Sequence, residues 1–130
     1  MGTFCVNVYR LIVAGGRDYA DFLELEREVD CYLEELCRKY PEKDTFVIVS
    51  GAARGAAALG KRYAMAHGLD CAEYPAKWDL HGRSAGYKRN SLMAENAHGC
   101  ICFWDGKSKG TKHMIEVAKY KGLDVMTIRY

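Results

Sequence analysis

Two kinds of hydrophobic pattern alternate along the chain. Short continuous apolar runs, several of them rich in Val and Ile, occupy residues 9–14 (YRLIVA), 46–49 (FVIV), 71–74 (CAEY), 99–104 (GCICFW) and 124–128 (DVMTI). Between them the period changes. Phe22, Leu25, Val29, Leu33 and Leu36 recur at helical spacing, with Asp18 and Asp21 placed like an N-cap and its reciprocal partner, and Pro41 marks the end. Residues 55–67 (GAAALGKRYAMAH) read as a small-residue helix closed by Gly68. Further helices are expected from about Tyr87 to Ala97 and from Gly110 to Lys121. The stretch 76–90 (AKWDLHGRSAGYKRN) reads, up to that third helix, as a polar, glycine-containing loop of unusual length, and long loops in small domains tend to have a task.

Continuous rather than alternating apolar strands imply burial on both faces, the mark of a parallel sheet covered by helices. Strict β-α alternation then predicts an α/β, three-layer Rossmann-like fold with a five-stranded, mainly parallel sheet in the order 3-2-1-4-5. Without an internal repeat, low-complexity tract or linker, residues 1–130 are expected to form a single domain.

Composition changes this picture little. Hydrophobic residues make up 49% of 130, enough for a real core, and the formal net charge of +2 lacks the dense Lys/Arg field of a nucleic-acid binder. Apolar runs fall well short of the roughly 18 to 20 residues that span a bilayer, and the N-terminus lacks the layout of a secretory signal, so a cytoplasmic location is expected. The start MGTFCV has Gly2 but Val6 where a myristoylation signal requires Ser or Thr. Cys5, Cys31, Cys37, Cys71, Cys100 and Cys102 lie in element-like segments and read as reduced, mostly buried thiols. Cys100 and Cys102 face the same side of one strand, but no second pair at ligand spacing accompanies them, so no metal is expected. The four histidines form no ligand cluster: His67 and His98 read as structural, His81 as a lid residue, and His113 as facing solvent.

In an open parallel sheet, ligands bind at the carboxyl ends of the strands, beside the point where strand order reverses. The order 3-2-1-4-5 brings the loops after strands one and four (GGRD and WDGKSKGT) to that crevice, with SGAARG after strand two beside them. Each feeds a helix start, where backbone amides and the dipole favour an anion. Each also has a plainer reading. Gly15 and Gly16 can serve a tight turn alone, Gly51 and Gly55 close helix-sheet packing, and Arg54 the solvated surface. A turn alone explains Gly106, Lys107, Ser108, Gly110 and Thr111 less well, because it needs neither two hydroxyls nor two lysines. Spacing excludes a P-loop, since the glycine required five positions before Gly106 would be Ile101. No G-x-G-x-x-G follows the first strand, which removes the main support for dinucleotide dehydrogenase chemistry.

The set GGRDY (15–19), SGAARGA (50–56), PAKWDLHG (75–82), KRN (88–90) and WDGKSKGTKHMI (104–115) resembles, in the same order, the YspA-like, cpYpsA-related branch of the SLOG superfamily. That superfamily is Rossmann-like and includes the LOG phosphoribohydrolases, the DNA-processing protein DprA and domains that sense nucleotide-derived messengers. The resemblance implies that Gly110-Thr111 stand at the phosphate-binding G-T pair of LOG enzymes, and Gly51, Arg54 and Gly55 at the second anion loop. Departures accompany it. Met114 stands where LOG enzymes have glutamate, while Glu116 should point elsewhere; Ala52 replaces a glycine expected of the branch, and Ala57 an aspartate. Hydrolysis loses support from these exchanges, and phosphate binding does not.

Other side chains complete the candidate site. Asp18 and Asp105 are the candidate catalytic carboxylates, with Asp79 a third near a strand end; Asp18 serves equally well as an N-cap. Arg17 and Arg89 suit bidentate phosphate contacts or pairs with those aspartates. Trp78 offers a stacking face for adenine, whereas Trp104 suits the core. Ser50 and Asn90 join the ligand-binding set. The expectation is a protein that binds a phosphate-bearing nucleotide derivative of the ADP-ribose, NAD or nucleotide type, as sensor or sequestering protein, with no cofactor. Loop amides would hold phosphate, Arg17, Arg54 and Lys107 would neutralise it, and Asp18 or Asp105 would meet sugar hydroxyls. Two alternatives stand beside it: a phosphoribohydrolase acting on a nucleoside monophosphate, and single-stranded DNA binding of the DprA kind, which the near-neutral charge disfavours. Enzymatic turnover stays open, as does assembly into a homo-oligomer.

Overall fold

The computed structural model describes residues 7–130. The expectations for Gly2, Cys5 and Val6 lie outside the described residues. The elements run β1 (Val8–Gly15), α1 (Phe22–Lys39), β2 (Thr45–Ser50), α2 (Ala56–Ala66), β3 (Asp70–Glu73), α3 (Trp78–His81), a 3-10 turn (Gly82–Ser84), α4 (Ala85–Glu95), β4 (Gly99–Trp104), α5 (Lys109–Tyr120) and β5 (Asp124–Arg129). All neighbouring strands pair in parallel, in the order β3-β2-β1-β4-β5, as the continuous apolar runs predict.

Two cores lie on the two faces of the sheet. Leu11 and Val13 of β1, with Ile48, Ile101 and Phe103, pack against Leu25, Val29 and Leu36 of α1 and Tyr63 and Ala64 of α2. The alternate residues, Ile12, Val49, Cys100 and Cys102, pack against Met93 and Ala94 of α4 and Met114, Ile115 and Ala118 of α5. The period-2 alternation of side chains thus delivers β1, β2 and β4 to both layers. Among the described residues, no helix is long and apolar enough to cross a membrane.

Four expectations need correction. Most of residues 76–90 is not an open loop: α3 and the 3-10 turn fold it onto α4, which starts at Ala85, two residues earlier than predicted. The amides of Leu80 and His81 close this short turn by donating to the Lys77 carbonyl at 3.0 and 2.9 Å. Asp18 does not cap α1. Its N-cap is Asp21, whose carboxylate accepts from the Glu24 amide at 3.0 Å. Of the cysteines, Cys100 and Cys102 are buried, with sulfurs 3.4 Å apart, but Cys31 and Cys37 are exposed on α1, so the thiols are not mostly buried. His113 is half-buried rather than solvent-facing, stacked on Tyr87 with ring centroids 4.3 Å apart.

The start of α2 is fixed by a close backbone approach. Gly55 has φ +79°, and a Cβ there would run into the Gly16 carbonyl and the Arg17 backbone, while the Ala56 amide donates to that same carbonyl at 3.1 Å. Gly68 also has positive φ but open space around its missing Cβ. Urea denaturation should therefore separate the two. Gly68→Ala should cost the left-handed conformation alone, about 1–2 kcal/mol. Gly55→Ala should cost a further 1–3 kcal/mol or so from the clash.

Candidate functional site

At the carboxyl ends of β1, β2 and β4 the sheet opens into a cavity of about 530 Å³. It lies at the reversal of strand order, because the chain crosses from β3 back over β1 to build β4. Its wall contains Gly15 at the end of β1 with Gly16, Arg17 and Asp18 after it, Gly51 and Arg54 after β2, and Asp105, Ser108, Gly110 and Thr111 after β4. From the segment expected to be a loop, α3 and α4 add Trp78, Arg89 and Asn90. The expected site residues outside the wall are Ser50, Gly55, Gly106 and Lys107. Ser50 is buried, its hydroxyl donating to the Ala57 carbonyl at 3.0 Å and accepting from the Ala52 amide at 3.2 Å. Gly55 lies beneath the Gly16–Arg17 backbone, Gly106 turns with φ +83° beside the Arg129 guanidinium, and Lys107 is exposed.

Four arginines face the cavity: Arg17, Arg54, Arg83 and Arg89. None forms an ion pair with a carboxylate among the described residues, so the expected alternative of arginine-aspartate pairing is not what the fold builds. Arg89 is half-buried. Its guanidinium lies against Gly51, where a Cβ would meet it, donating from Nη1 to the Gly51 carbonyl and from Nε to Asn90 Oδ1 at 3.0 Å. Burial and then the nearby Arg17 charge push its pKa below the usual arginine value, so this cation is held in place at some electrostatic cost. Arg17 in turn stands 5.9 Å from the ring centre of Trp78, a loose cation-π contact.

The two carboxylates of the wall are engaged elsewhere. Asp18 Oδ1 accepts from the Tyr130 hydroxyl at 2.6 Å, which raises the tyrosine pKa, after burial, to about 12. Asp105 Oδ1 accepts from the amides of Lys107 and Ser108, both at 2.8 Å, and those amides hold its carboxyl below the ordinary value. Other loop amides are also taken. Gly16 donates to Phe103, and Thr111 to the Ser108 hydroxyl that caps α5. Several of the amides that the sequence pattern suggests for an anion thus hold the loops in shape, and the guanidinium groups of Arg17, Arg54 and Arg83 are left without a hydrogen-bond partner among the described residues.

Asn90 fastens the floor. Besides accepting from Arg89, its Nδ2 donates to the Gly110 carbonyl at 3.3 Å and to His113 Nδ1 at 3.2 Å, so α4 and the start of α5 are joined beneath the cavity. Burial lowers the His113 pKa, which suits an Nδ1 that accepts. Ala52 takes φ +58°, the conformation for which a glycine was expected. His81 lies outside the wall, with Nδ1 3.4 Å from Lys88 Nζ, and Asp79 is exposed at the start of α3. No cluster of metal-ligating side chains occurs among the described residues.

Sequence reasoning missed Arg83, Tyr87 and Met93 as wall residues, and Tyr130 as the partner of Asp18, while Ala57 and Met114, singled out as replacements of carboxylates, do line the cavity. Arg83, Gly86, Asn90 and Met93 recur at three- and four-residue intervals, a helical signal masked by two glycines and the polar composition. Nothing local announces Tyr130.

The family whose description reads YspA, cpYpsA-related SLOG matches residues 9–81, from β1 to the end of α3. The chain belongs to that family. The match includes GGRDY and SGAARGA, whereas the KRN and WDGKSKGT segments of this SLOG chain lie beyond it. The SLOG chain is also 30% identical over 123 residues to the Gene 61 protein of Mycobacterium phage D29, an alignment covering 90% of this chain and 94% of that protein. No solved structure matches.

The state of Asp105 gives a pH-dependent expectation. A carboxyl whose folded pKa lies below the ordinary value of 3.8 contributes stability that is complete above that pH and vanishes as the pH falls through the folded value. Asp105→Asn can keep an accepting oxygen but loses the charge. In urea titrations it should be less stable than the native protein at pH 7, and the gap should close as the solution is acidified below 3.8. A gap that persists unchanged in acid would show that the two amides do not favour the ionised form.

Proposed function

We propose that this protein binds a phosphate-bearing, nucleotide-derived ligand of the ADP-ribose, NAD or nucleotide type, and serves as a sensor or sequestering protein for it. The carrying observation is the set of four cavity-facing arginines with no carboxylate partner among the described residues. Four guanidinium groups converging on one cavity concentrate positive charge there, and arginine's planar fork suits phosphate oxygens. Family membership supports a nucleotide-related ligand, and Asp18, Asp105, Ser108 and Thr111 offer partners for sugar hydroxyls. Phosphate recognition then rests on guanidinium groups more than on loop amides.

Binding is favoured over hydrolysis at two positions. Ala57 and Met114 stand where the resemblance places an aspartate and the LOG glutamate, and both line the cavity with carbon and sulfur instead of a carboxylate. Asp105, held ionised by two amides, is poorly suited to donating a proton to a leaving base.

Calorimetric titration with ADP-ribose, NAD, AMP and cyclic analogues tests this reading. At least one should bind, with affinity falling as salt rises. Arg17→Ala and Arg54→Ala, both at exposed positions, should each weaken that binding about tenfold or more without altering the melting temperature appreciably. Absence of heat with every ligand, in folded protein, would refute the proposal. Release of free base from AMP, abolished by Asp18→Asn or Asp105→Asn, would replace it with a phosphoribohydrolase.

A further inference from the structure

The arginines do not stand at the end of the cavity. A second hollow of about 330 Å³ adjoins it; Arg17, Arg54, Arg89 and Trp78, with Gly51 and Ala53, wall both, and Arg83 walls the larger alone. The cations therefore mark a junction between two spaces. Each space is of a size that small-molecule sites commonly have.

The two spaces differ chemically. The larger holds carboxylates and hydroxyls, in Asp18, Asp105, Ser108 and Thr111. Around the smaller, the wall beyond the shared residues is Ala52, Pro75 and Ala76, and the whole of it lacks a carboxylate or a hydroxyl side chain. Trp78, 50% exposed, presents an aromatic surface there that the protein's own packing leaves open. Small apolar walls beside an exposed indole suit a planar base, and the carboxylate-lined space suits a hydroxylated sugar.

We infer that the ligand carries its phosphate internally, as a phosphate or pyrophosphate bridge between two organic ends: a base stacked at Trp78 in the smaller hollow, and a sugar in the larger. This inference rests on the nucleotide-ligand reading and narrows it to two-ended ligands. A ligand with a terminal phosphate can satisfy the arginines but leaves one hollow unfilled. Charge and shape thus make opposite demands. ADP brings the more highly charged, terminal pyrophosphate, whereas ADP-ribose brings the same bridge with an organic group on both sides.

Calorimetry with ADP, ADP-ribose and ribose 5-phosphate separates these demands. ADP-ribose should bind about tenfold or more tightly than ADP, despite its lower charge. Ala76→Trp, at a half-buried position between β3 and α3 that borders only the smaller hollow, should weaken ADP-ribose and ADP by a similar factor and leave ribose 5-phosphate unchanged. Circular dichroism checks that the variant folds, and the comparison on the native protein stands without it. ADP-ribose binding no tighter than ADP, or undiminished affinity in folded Ala76→Trp, overturns this inference and leaves the nucleotide-ligand reading intact. Failure of all three ligands to bind, together with NAD, AMP and the cyclic analogues, overturns both.

Discussion

A half-buried guanidinium without an opposite charge governs the carboxyl end of this sheet. Arg89 lies across Gly51, anchored by the Gly51 carbonyl and the Asn90 amide oxygen, with Arg17 near enough to lower its pKa. Removing a cation from water and setting it beside another is unfavourable unless negative charge arrives from somewhere. The two nearby carboxylates do not provide it by direct pairing: Tyr130 engages Asp18, and the Lys107 and Ser108 amides engage Asp105. Much of the local architecture follows from keeping Arg89 where it is. Gly51 must lack a Cβ, Asn90 must be buried between α4 and α5, and His113 must accept from Asn90.

The glycine-rich segment after β2 illustrates how packing and recognition share residues. Gly55 is a joint, pressed against the Gly16 carbonyl so that α2 can start beneath the first loop. Gly51 is a seat for the guanidinium. Ser50 holds the segment together through Ala52 and Ala57, and Ala52 accepts a left-handed backbone that glycine would adopt more easily. Arg54 alone in this segment projects a charge into the cavity. Some of the backbone amides that a helix start offers to an anion are here spent within the protein, that of Ala56 on the Gly16 carbonyl and that of Thr111 on the Ser108 hydroxyl.

The sheet order and the two helical layers were legible because each strand is an unbroken apolar run, a pattern that a sheet covered on both faces demands. The crevice followed from the order alone. What lay beyond the sequence was decided at long range or by weak local signals. Asp18 and Asp21 are equally good caps by type and spacing. The helix instead starts at Phe22, behind Asp21, and Asp18 accepts from Tyr130, 112 positions further along. Residues 78–84 lack an apolar stripe because the turn they form is short and exposed, and glycines at 82 and 86 interrupt the period that would have extended α4 backward to Ala85 and exposed Arg83 as a wall residue. The exposure of Cys31 and Cys37 reflects the outer side of α1, whose inner stripe is Leu25, Val29, Tyr32 and Leu36.

The central physical claim is that guanidinium groups at the strand ends await an anion, and arginine side-chain NMR addresses it whatever the organic parts of the ligand are. Titrating inorganic pyrophosphate into the protein at low salt should shift the Nε–H signals of Arg17, Arg54, Arg83 and Arg89, saturably and together. Those of Arg38, paired with Glu35, and of Arg129, over Trp104, should stay in place. Equal small shifts across all arginines, or no response from the four that face the cavity, would contradict it.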